Sequence, residues 1–290
     1  MAMLSRIAAW WTGQRATPAA QEVSRFYKQL PAGETSRLIV FVHGVLGGAA
    51  TTWGQPDSDN FWPALVQSDP RFADFDIYLV NYLSRFVGRS PNIYETANSE
   101  LNYLEDRGVF NRYREVHFIA HSMGGLIVKR MLVRLRDREE VTKLRRIKSV
   151  VCLSTPAQGA SIAAVASWFS NNPQFIGLTP AHVNESIQEL EDAWVQLLRA
   201  RDREHTPFPQ VYCAYETLAM DGVIVVPREM ANTRCDSDLH PMPYDHSGMV
   251  SARGRDVDPY LWTMARTLES SQDVAERESL WIGQFRPANV

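Results

Sequence analysis

The chain has 290 residues, a length that fits one large α/β domain. Hydrophobic residues make up 45% and charged residues 22% of the chain, the balance of an ordinary globular protein. The net charge of −3 gives no reason to expect nucleic acid as a partner. No stretch approaches the ~20 apolar residues that span a bilayer. The sequence therefore predicts a globular domain without a membrane span, and it makes no prediction of oligomeric state.

Three cysteines are too few and too scattered for a disulfide framework or a zinc site. Cys152 and Cys213 lie in apolar, strand-like runs, and we expect them to be buried free thiols. Reduced cysteines, together with an N-terminal apolar run too short for a secretion signal, predict a cytoplasmic protein.

The N-terminal segment, residues 1–30, carries adjacent tryptophans, Trp10 and Trp11, flanked by arginines. Its apolar residues repeat at helical spacing. One interpretation is an interfacial anchor that makes peripheral membrane contact. The interpretation we prefer is a helix packed on the domain or a frayed end.

Short apolar runs alternate with helical stretches along most of the remaining chain. Five runs are predicted to be strands, at 37–44, 75–84, 115–121, 149–156 and 210–216. Helices are predicted between them, the clearest at 95–107 and 126–140. This alternation predicts a mostly parallel sheet with crossover helices on both faces, forming a single domain (1–290) with a core at about 37–270.

Residues 159–205 interrupt this rhythm with helical stretches joined by Asn/Pro-rich turns, and we interpret them as a lid-like insertion. Its Trp168 and Phe169 either line an acyl pocket or take part in ordinary helix packing. The segment 129–148 has nine basic and three acidic residues. It could face anionic lipid headgroups, although a solvated helix face is the interpretation we favour.

The stretch FIAHSMGG, residues 118–125, places Ser122 at a sharp turn from strand to helix. A nucleophile elbow needs such a turn, because it lifts the serine hydroxyl above the sheet edge. Small residues are required two positions before and after the serine, where this chain has Ala120 and Gly124. We therefore predict that Ser122 is a nucleophile and not merely a helix cap.

A second signature, FVHGVLGG, lies upstream and ends the first predicted strand with His43 and Gly44. In esterases and lipases, the loop after such an H-G pair and the residue after the nucleophile supply the N–H groups of the oxyanion hole. These positions predict backbone donors at Val45 and Met123. We expect Leu46 and His121, beside the loop and the nucleophile, to contact substrate.

A serine nucleophile needs a histidine base, which in this arrangement comes last in the chain. His246 follows all the predicted strands on a glycine-containing loop, and we prefer it to His240. Two carboxylates compete as the orienting acid: Glu216 at the tip of the fifth strand, and Asp221 on the loop after it. Asp245 is a third and weaker candidate.

Together these motifs resemble the serine-active-site-containing protein branch of the α/β-hydrolases, which adjoins the GPI inositol-deacylase-like lipases. The resemblance covers about residues 37–251 and rests on FVHGVLGG, AHSMGGLIVK, LSTPAQGAS, YETL and DHSGM. It implies an α/β-hydrolase fold and ester or lipid chemistry. A Y/F-E-T segment recurs in that branch, so the resemblance favours Glu216 over Asp221.

The expected function is hydrolysis of carboxyl esters, of lipid or acyl type, through a Ser–His–acid triad and an acyl-enzyme. Such chemistry requires no cofactor and no metal. Two rivals remain open: an acyltransferase that uses the same triad, and a catalytically silent interaction module. Hydrolysis and transfer differ in whether water is excluded from the site, which a residue list does not reveal.

Overall fold

The structure of the protein is a computed structural model. It describes residues 23–33, 35–44, 47–82, 93–157, 180–203, 209–220, 222–231, 234–251 and 253–284. For 180–186 and 272–284 it describes the backbone alone.

The described residues form a seven-stranded sheet with the order β1-β3-β2-β4-β5-β6-β7. All neighbouring strands are parallel except β1, which runs antiparallel to β3. The strands are β1 Arg25–Lys28, β2 Arg37–Val42, β3 Phe75–Val80, β4 Glu115–His121, β5 Ile147–Leu153, β6 Gln210–Glu216 and β7 His240–Met242. The central strands are buried nearly throughout, because helices cover both faces; their sequences are accordingly continuous apolar runs and not alternating ones.

Helices connect the strands and cover the sheet. They are α1 Trp62–Gln67, α2 Ile93–Asp106, α3 Val109–Arg112, α4 Met123–Asp137, α5 Val141–Arg146, α6 Pro180–Arg203, α7 Gly248–Ser251 and α8 Asp258–Gln284. Side chains of α2, α4 and α6 form one core cluster with the sheet, and side chains of α1, α7 and α8 form the other. No helix within the described ranges is long and apolar enough to cross a membrane.

The predicted α/β-hydrolase-type sheet is confirmed, and each of the five predicted strands is present, with ends that differ by a few residues. Two further strands, β1 and β7, were not predicted. They have four and three residues, and β1 is a partly exposed edge strand, so neither carries a long apolar run.

The prediction of buried thiols is right for Cys152 and wrong for Cys213. Cys152 is a buried thiol, whereas Cys213 forms a disulfide with Cys235. Cys235 lies 22 residues downstream, in a loop that returns to β6. Only the tertiary fold brings the two sulfur atoms together, so their spacing in the sequence did not reveal the pair.

The second half of the predicted insertion is the crossover helix α6. Its buried side chains Ile187 and Trp194 join the core cluster that includes α4. Lys129 of α4 and Glu191 of α6 form a buried ion pair across the same contact. The first half, together with Trp168 and Phe169, lies outside the described residues, so the lid and the acyl pocket stay predictions.

Several basic residues of the 129–148 segment are bound to neighbouring parts of the protein. Arg136 donates to the carbonyl oxygen of Ala193 on α6, and Lys143 forms ion pairs with Glu105 and Glu140. Much of this positive charge is therefore neutralised or hydrogen-bonded within the fold, which weakens the interpretation of a lipid-binding face.

Candidate active site

Ser122 lies between β4 and α4, at the turn that the sequence predicts. Its backbone has φ 52° and ψ −125°, a conformation that is strained for a residue with a side chain. A Cβ atom at Gly124 would lie only 2.4 Å from the carbonyl oxygen of Val42, so the helix passes very close to the end of β2. This close passage explains why a glycine is needed two residues after the serine.

Ser122 is buried, and its backbone and its side chain differ in hydrogen bonding. The backbone N–H of Ser122 donates to the carbonyl oxygen of Leu153 at 2.9 Å, which fixes the turn against β5. Within the described part of the chain, Ser122 Oγ has no hydrogen-bond partner. A buried hydroxyl without a partner is uncommon in a folded protein and is available for a reaction.

The H-G pair lies directly against the serine. A Cβ atom at Gly44 would be 2.8 Å from Ser122 Cβ and 3.1 Å from His121 Nδ1. Gly44 therefore lets the loop after β2 approach the nucleophile closely. Val45 and Leu46, the next two residues of that loop, lie outside the described residues.

His43 anchors the end of β2 in a neutral form. The backbone N–H of Tyr82 donates to His43 Nε2 at 3.2 Å, so Nδ1 carries the proton and donates to the Gly44 carbonyl oxygen at 2.9 Å. The Tyr82 hydroxyl donates to the His43 carbonyl oxygen at 2.5 Å, and the two rings stack with centroids 4.0 Å apart. Complete burial lowers the pKa of His43 to about 4.

His246 and Glu216 form the second half of the site. His246 Nδ1 lies 3.2 Å from Glu216 Oε1, and both side chains are buried. Glu216 is the last residue of β6, and His246 follows β7 and precedes α7. The structure thus brings the predicted histidine against one of the two predicted acids; the other, Asp221, lies outside the described residues.

The weaker candidates have other contacts. His240 lies within β7, where its ring stacks on Trp262 and its Nε2 is 3.5 Å from Asp258 Oδ2. Asp245 Oδ1 accepts a hydrogen bond from the Gly248 N–H at 2.7 Å, at the start of α7. Both residues therefore have structural partners.

Glu216 is held by two groups that the sequence analysis missed. The N–H of Val226 donates to Oε1 at 2.5 Å, and the hydroxyl of Ser154 donates to Oε2. Ser154 directly follows β5 and also has a positive φ, 46°. The signal that could have found it is its position at a strand end, beside the strand that carries the nucleophile.

His121, predicted to contact substrate, lies against His246. Its Nε2 is 2.9 Å from the His246 carbonyl oxygen, and the two ring centroids are 4.6 Å apart. Because a carbonyl can only accept, Nε2 carries the proton and Nδ1 is an acceptor, which has no partner among the described residues. Desolvation, followed by the neighbouring His246, lowers the pKa of His121 well below its ordinary value.

Two of the remaining predictions concern the oxyanion hole. Met123 is the first residue of α4, so its N–H is one of the N-terminal amides that the helix itself leaves unsatisfied. The partner donor, Val45, is not described. The oxyanion hole therefore stays a prediction.

Comparison with known proteins bears on the family of this chain. A family model described as "Alpha/beta hydrolase family" matches residues 39–281, which is most of the chain. The chain belongs to the alpha/beta hydrolase family.

The relatives of this family member are distant. Protein SERAC1 of Bos taurus is 24% identical over 268 residues, covering 83% of this chain and 39% of the relative. Protein SERAC1 of Homo sapiens is 25% identical over 254 residues, covering 78% of this chain and 38% of the relative. The chain thus spans about two fifths of the length of these curated relatives.

Two solved structures match the chain at low identity. Est1E from Butyrivibrio proteoclasticus, with ferulic acid bound, is 14% identical with a TM-score of 0.47, covering 87% of this chain and 96% of that one. The RedJ thioesterase from Streptomyces coelicolor is 16% identical with a TM-score of 0.46, covering 93% of this chain and 96% of that one.

The arrangement supplies parts that acyl transfer requires. These are a buried serine hydroxyl on a strained turn, a histidine paired with a carboxylate, and a glycine that lets neighbouring backbone lie close to the serine. In related chemistry, the hydrogen bond between serine and histidine often tightens only when substrate binds. These residues can therefore support nucleophilic catalysis.

Proposed function

We propose that this alpha/beta hydrolase is a serine hydrolase that cleaves carboxyl esters, with lipid or other acyl esters as its substrates. The observation that carries the proposal is the position of Ser122. Its strained backbone and unbonded hydroxyl adjoin His121, whose ring lies against His246, and His246 in turn pairs with Glu216.

In the proposed mechanism, Ser122 Oγ attacks the ester carbonyl carbon while His246 Nε2 accepts the hydroxyl proton. Glu216 stabilises the resulting imidazolium through Nδ1. The tetrahedral intermediate collapses, the imidazolium protonates the leaving alcohol, and the acyl group stays on Ser122. Water, deprotonated by His246, then releases the acid and restores the serine.

The backbone N–H groups of Val45 and Met123 are the proposed donors to the oxyanion. Removing one such donor typically costs about a hundredfold to a thousandfold in kcat. Gly44 supports this assignment, because it precedes Val45 in the chain and its lack of a side chain lets its own backbone lie against Ser122.

An apolar substrate is favoured by the loop that follows Glu216. Its side chains Leu218, Val223 and Ile224 are 52%, 44% and 36% exposed. The loop is pinned next to the histidine segment by the Leu218 N–H, which donates to the Tyr244 carbonyl oxygen at 3.1 Å. Apolar side chains exposed next to the segment that carries His246 suit an acyl chain better than a charged substrate.

A fluorophosphonate probe and p-nitrophenyl esters of increasing chain length test the proposal. We expect the parent protein to be labelled and to turn over esters, with both properties lost in Ser122→Ala. In His246→Ala, turnover should fall by about a thousandfold or more, because the base is removed.

The matched controls are Ser237→Ala and His240→Gln, at a surface serine and at a histidine with other partners. Both should keep parental labelling and turnover. A folded parent that neither labels nor turns over any ester would overturn the proposal and favour a silent interaction module. Turnover that requires an added alcohol acceptor would favour an acyltransferase.

A further inference from the structure

Three non-glycine residues in the described part of the chain have a positive φ: Ser122, Glu139 and Ser154. Glu139 is exposed and follows the end of α4, a common place for a left-handed residue. Ser122 and Ser154 instead follow the neighbouring central strands β4 and β5, and both are buried. Strain of this kind persists only where the surrounding structure enforces it, and it often marks a functional position.

The backbone around Ser154 connects the serine strand to the acid strand. The Leu153 carbonyl oxygen accepts from the Ser122 N–H at 2.9 Å, and the Ser154 N–H donates to the Ala214 carbonyl oxygen of β6 at 2.9 Å. Ser154 is therefore fixed from both sides, between the nucleophile and the strand that ends in Glu216. Its positive φ is the conformation in which its side chain reaches the carboxylate.

The hydroxyl of Ser154 has a single proton and two acceptors within reach. These are Glu216 Oε2 and, at 3.2 Å, the sulfur of Met249. A carboxylate oxygen is a far stronger acceptor than a thioether sulfur, so the proton is donated to Glu216. Within the described ranges no other donor reaches Oε2, while Oε1 is approached by both Val226 N–H and His246 Nδ1.

We infer that Ser154 is a positioning residue for the catalytic carboxylate: its hydroxyl holds Glu216 Oε2 so that Oε1 faces His246. This inference rests on the proposed function of Ser122, His246 and Glu216. Without the hydroxyl, a buried carboxylate oxygen has no partner, and the group gains freedom to turn away from the imidazole.

Two substitutions at Ser154 distinguish the effect of its hydroxyl from the effect of its backbone strain. Ser154→Ala removes the hydroxyl and keeps the strained backbone, whereas Ser154→Gly removes the hydroxyl and relieves the strain. If Ser154 acts through its hydroxyl, both variants lose kcat to a similar extent, about tenfold to a hundredfold. Ser154→Gly should do so although it is the more stable of the two.

A pH profile provides a readout that a purely structural role would not move. Without the Ser154 donor, the negative charge of Glu216 is less stabilised by hydrogen bonding, and the carboxylate therefore stabilises the imidazolium more strongly. On the acid side of the pH profile, the fall in kcat/KM should then occur at higher pH in both variants. Ser154→Thr returns a hydroxyl and should restore the parental limb, even if the β-branched side chain lowers stability at this φ.

The decisive measurement does not need turnover. The titration of the His246 imidazole is followed by ¹H–¹⁵N NMR in Ser122→Ala, alone and combined with Ser154→Ala or Ser154→Gly. A midpoint that rises in both double variants supports the positioning role, even if the parent proves inactive and the proposed function fails. Unchanged midpoints in both, or parental kcat in Ser154→Gly of an active enzyme, would overturn it.

Discussion

The same three residue types, serine, histidine and glutamate, meet at two buried places on this sheet. At the carboxyl ends of the strands, the group is Ser122, His246 and Glu216. Near the amino ends, His117 Nδ1 lies 2.9 Å from Ser149 Oγ, and His117 Nε2 lies 3.7 Å from Glu115 Oε2. By composition alone, the second group resembles a triad as much as the first.

The surroundings distinguish them. Ser149 lies within β5 with its hydroxyl bonded to His117, whereas Ser122 is at a strained turn and its hydroxyl has no hydrogen-bond partner among the described residues. Glu115 also pairs with Arg37 at 3.2 Å and accepts from the Ser271 hydroxyl of α8. In the amino-end group, the serine and the glutamate are thus both bonded to their neighbours, and residues of α8 pack beside them. The two serines differ in backbone strain and in whether the hydroxyl is engaged, and residue types alone do not reveal that difference.

The largest expected effect comes from neutralising each glutamate in turn. Glu216→Gln should lower kcat by about a thousandfold to ten-thousandfold, because an amide cannot stabilise the imidazolium in the same way. Glu115→Gln should leave kcat near the parental value and lower the free energy of unfolding instead. Ester turnover and urea unfolding of both variants measure the contrast.

The converse result would break the comparison. If Glu115→Gln abolished turnover in a folded protein, while Glu216→Gln did not, the amino-end group would be the catalytic one. Equal losses in both would indicate a general effect on folding.

Much of the carboxyl-end group was predictable from the sequence, because parallel strands align their carboxyl ends. The apolar runs of β2 to β6 were long enough to identify, and the turn at Ser122 followed from FIAHSMGG. The order of the motifs and the glycine-containing loop then favoured His246 over the six other histidines. Local pattern and chain order were sufficient for these elements.

The missing parts depend on contacts between distant segments. Ser154 and Glu216 are 62 residues apart, and nothing in LSTP specifies which carboxylate its hydroxyl meets. The pairing of Cys213 with Cys235 likewise requires a loop to return to β6. The choice between Glu216 and Asp221 came from resemblance, because spacing alone allowed both.

Three buried histidines, His43 and His121 beside the carboxyl-end group and His117 in the amino-end group, should make the protein less stable as the pH falls. Burial lowers the pKa of His43 to about 4, and it also lowers the pKa of His121 and of His117. The unfolded chain, with histidine pKa values near 6.5, binds protons before the folded chain does. The contribution of these histidines to the free energy of unfolding is therefore fully present above about pH 6.5 and is lost as the pH falls toward 4. His43 alone contributes about 3 kcal/mol.

Urea unfolding between pH 7.5 and 4 measures this loss. His117→Asn should flatten the pH dependence, because it removes the contribution of the amino-end group. His240→Gln, outside both groups, is the control and should leave the slope unchanged. A free energy of unfolding that stays constant from pH 7 to 4.5 would contradict the neutral, buried state of these histidines.

The smallest expected effect concerns His121, for which two roles compete. Its Nε2–H donates to the His246 carbonyl oxygen, which favours a role in positioning His246 over the predicted contact with substrate. His121→Phe keeps a ring but removes the donor, and loss of one such hydrogen bond should lower kcat by about tenfold with little change in KM. His121→Gln, which retains an amide donor, should recover part of the loss. A raised KM with parental kcat in both variants would show that His121 contacts substrate instead. In that case Glu216 and the turn before α7 would position His246 without His121.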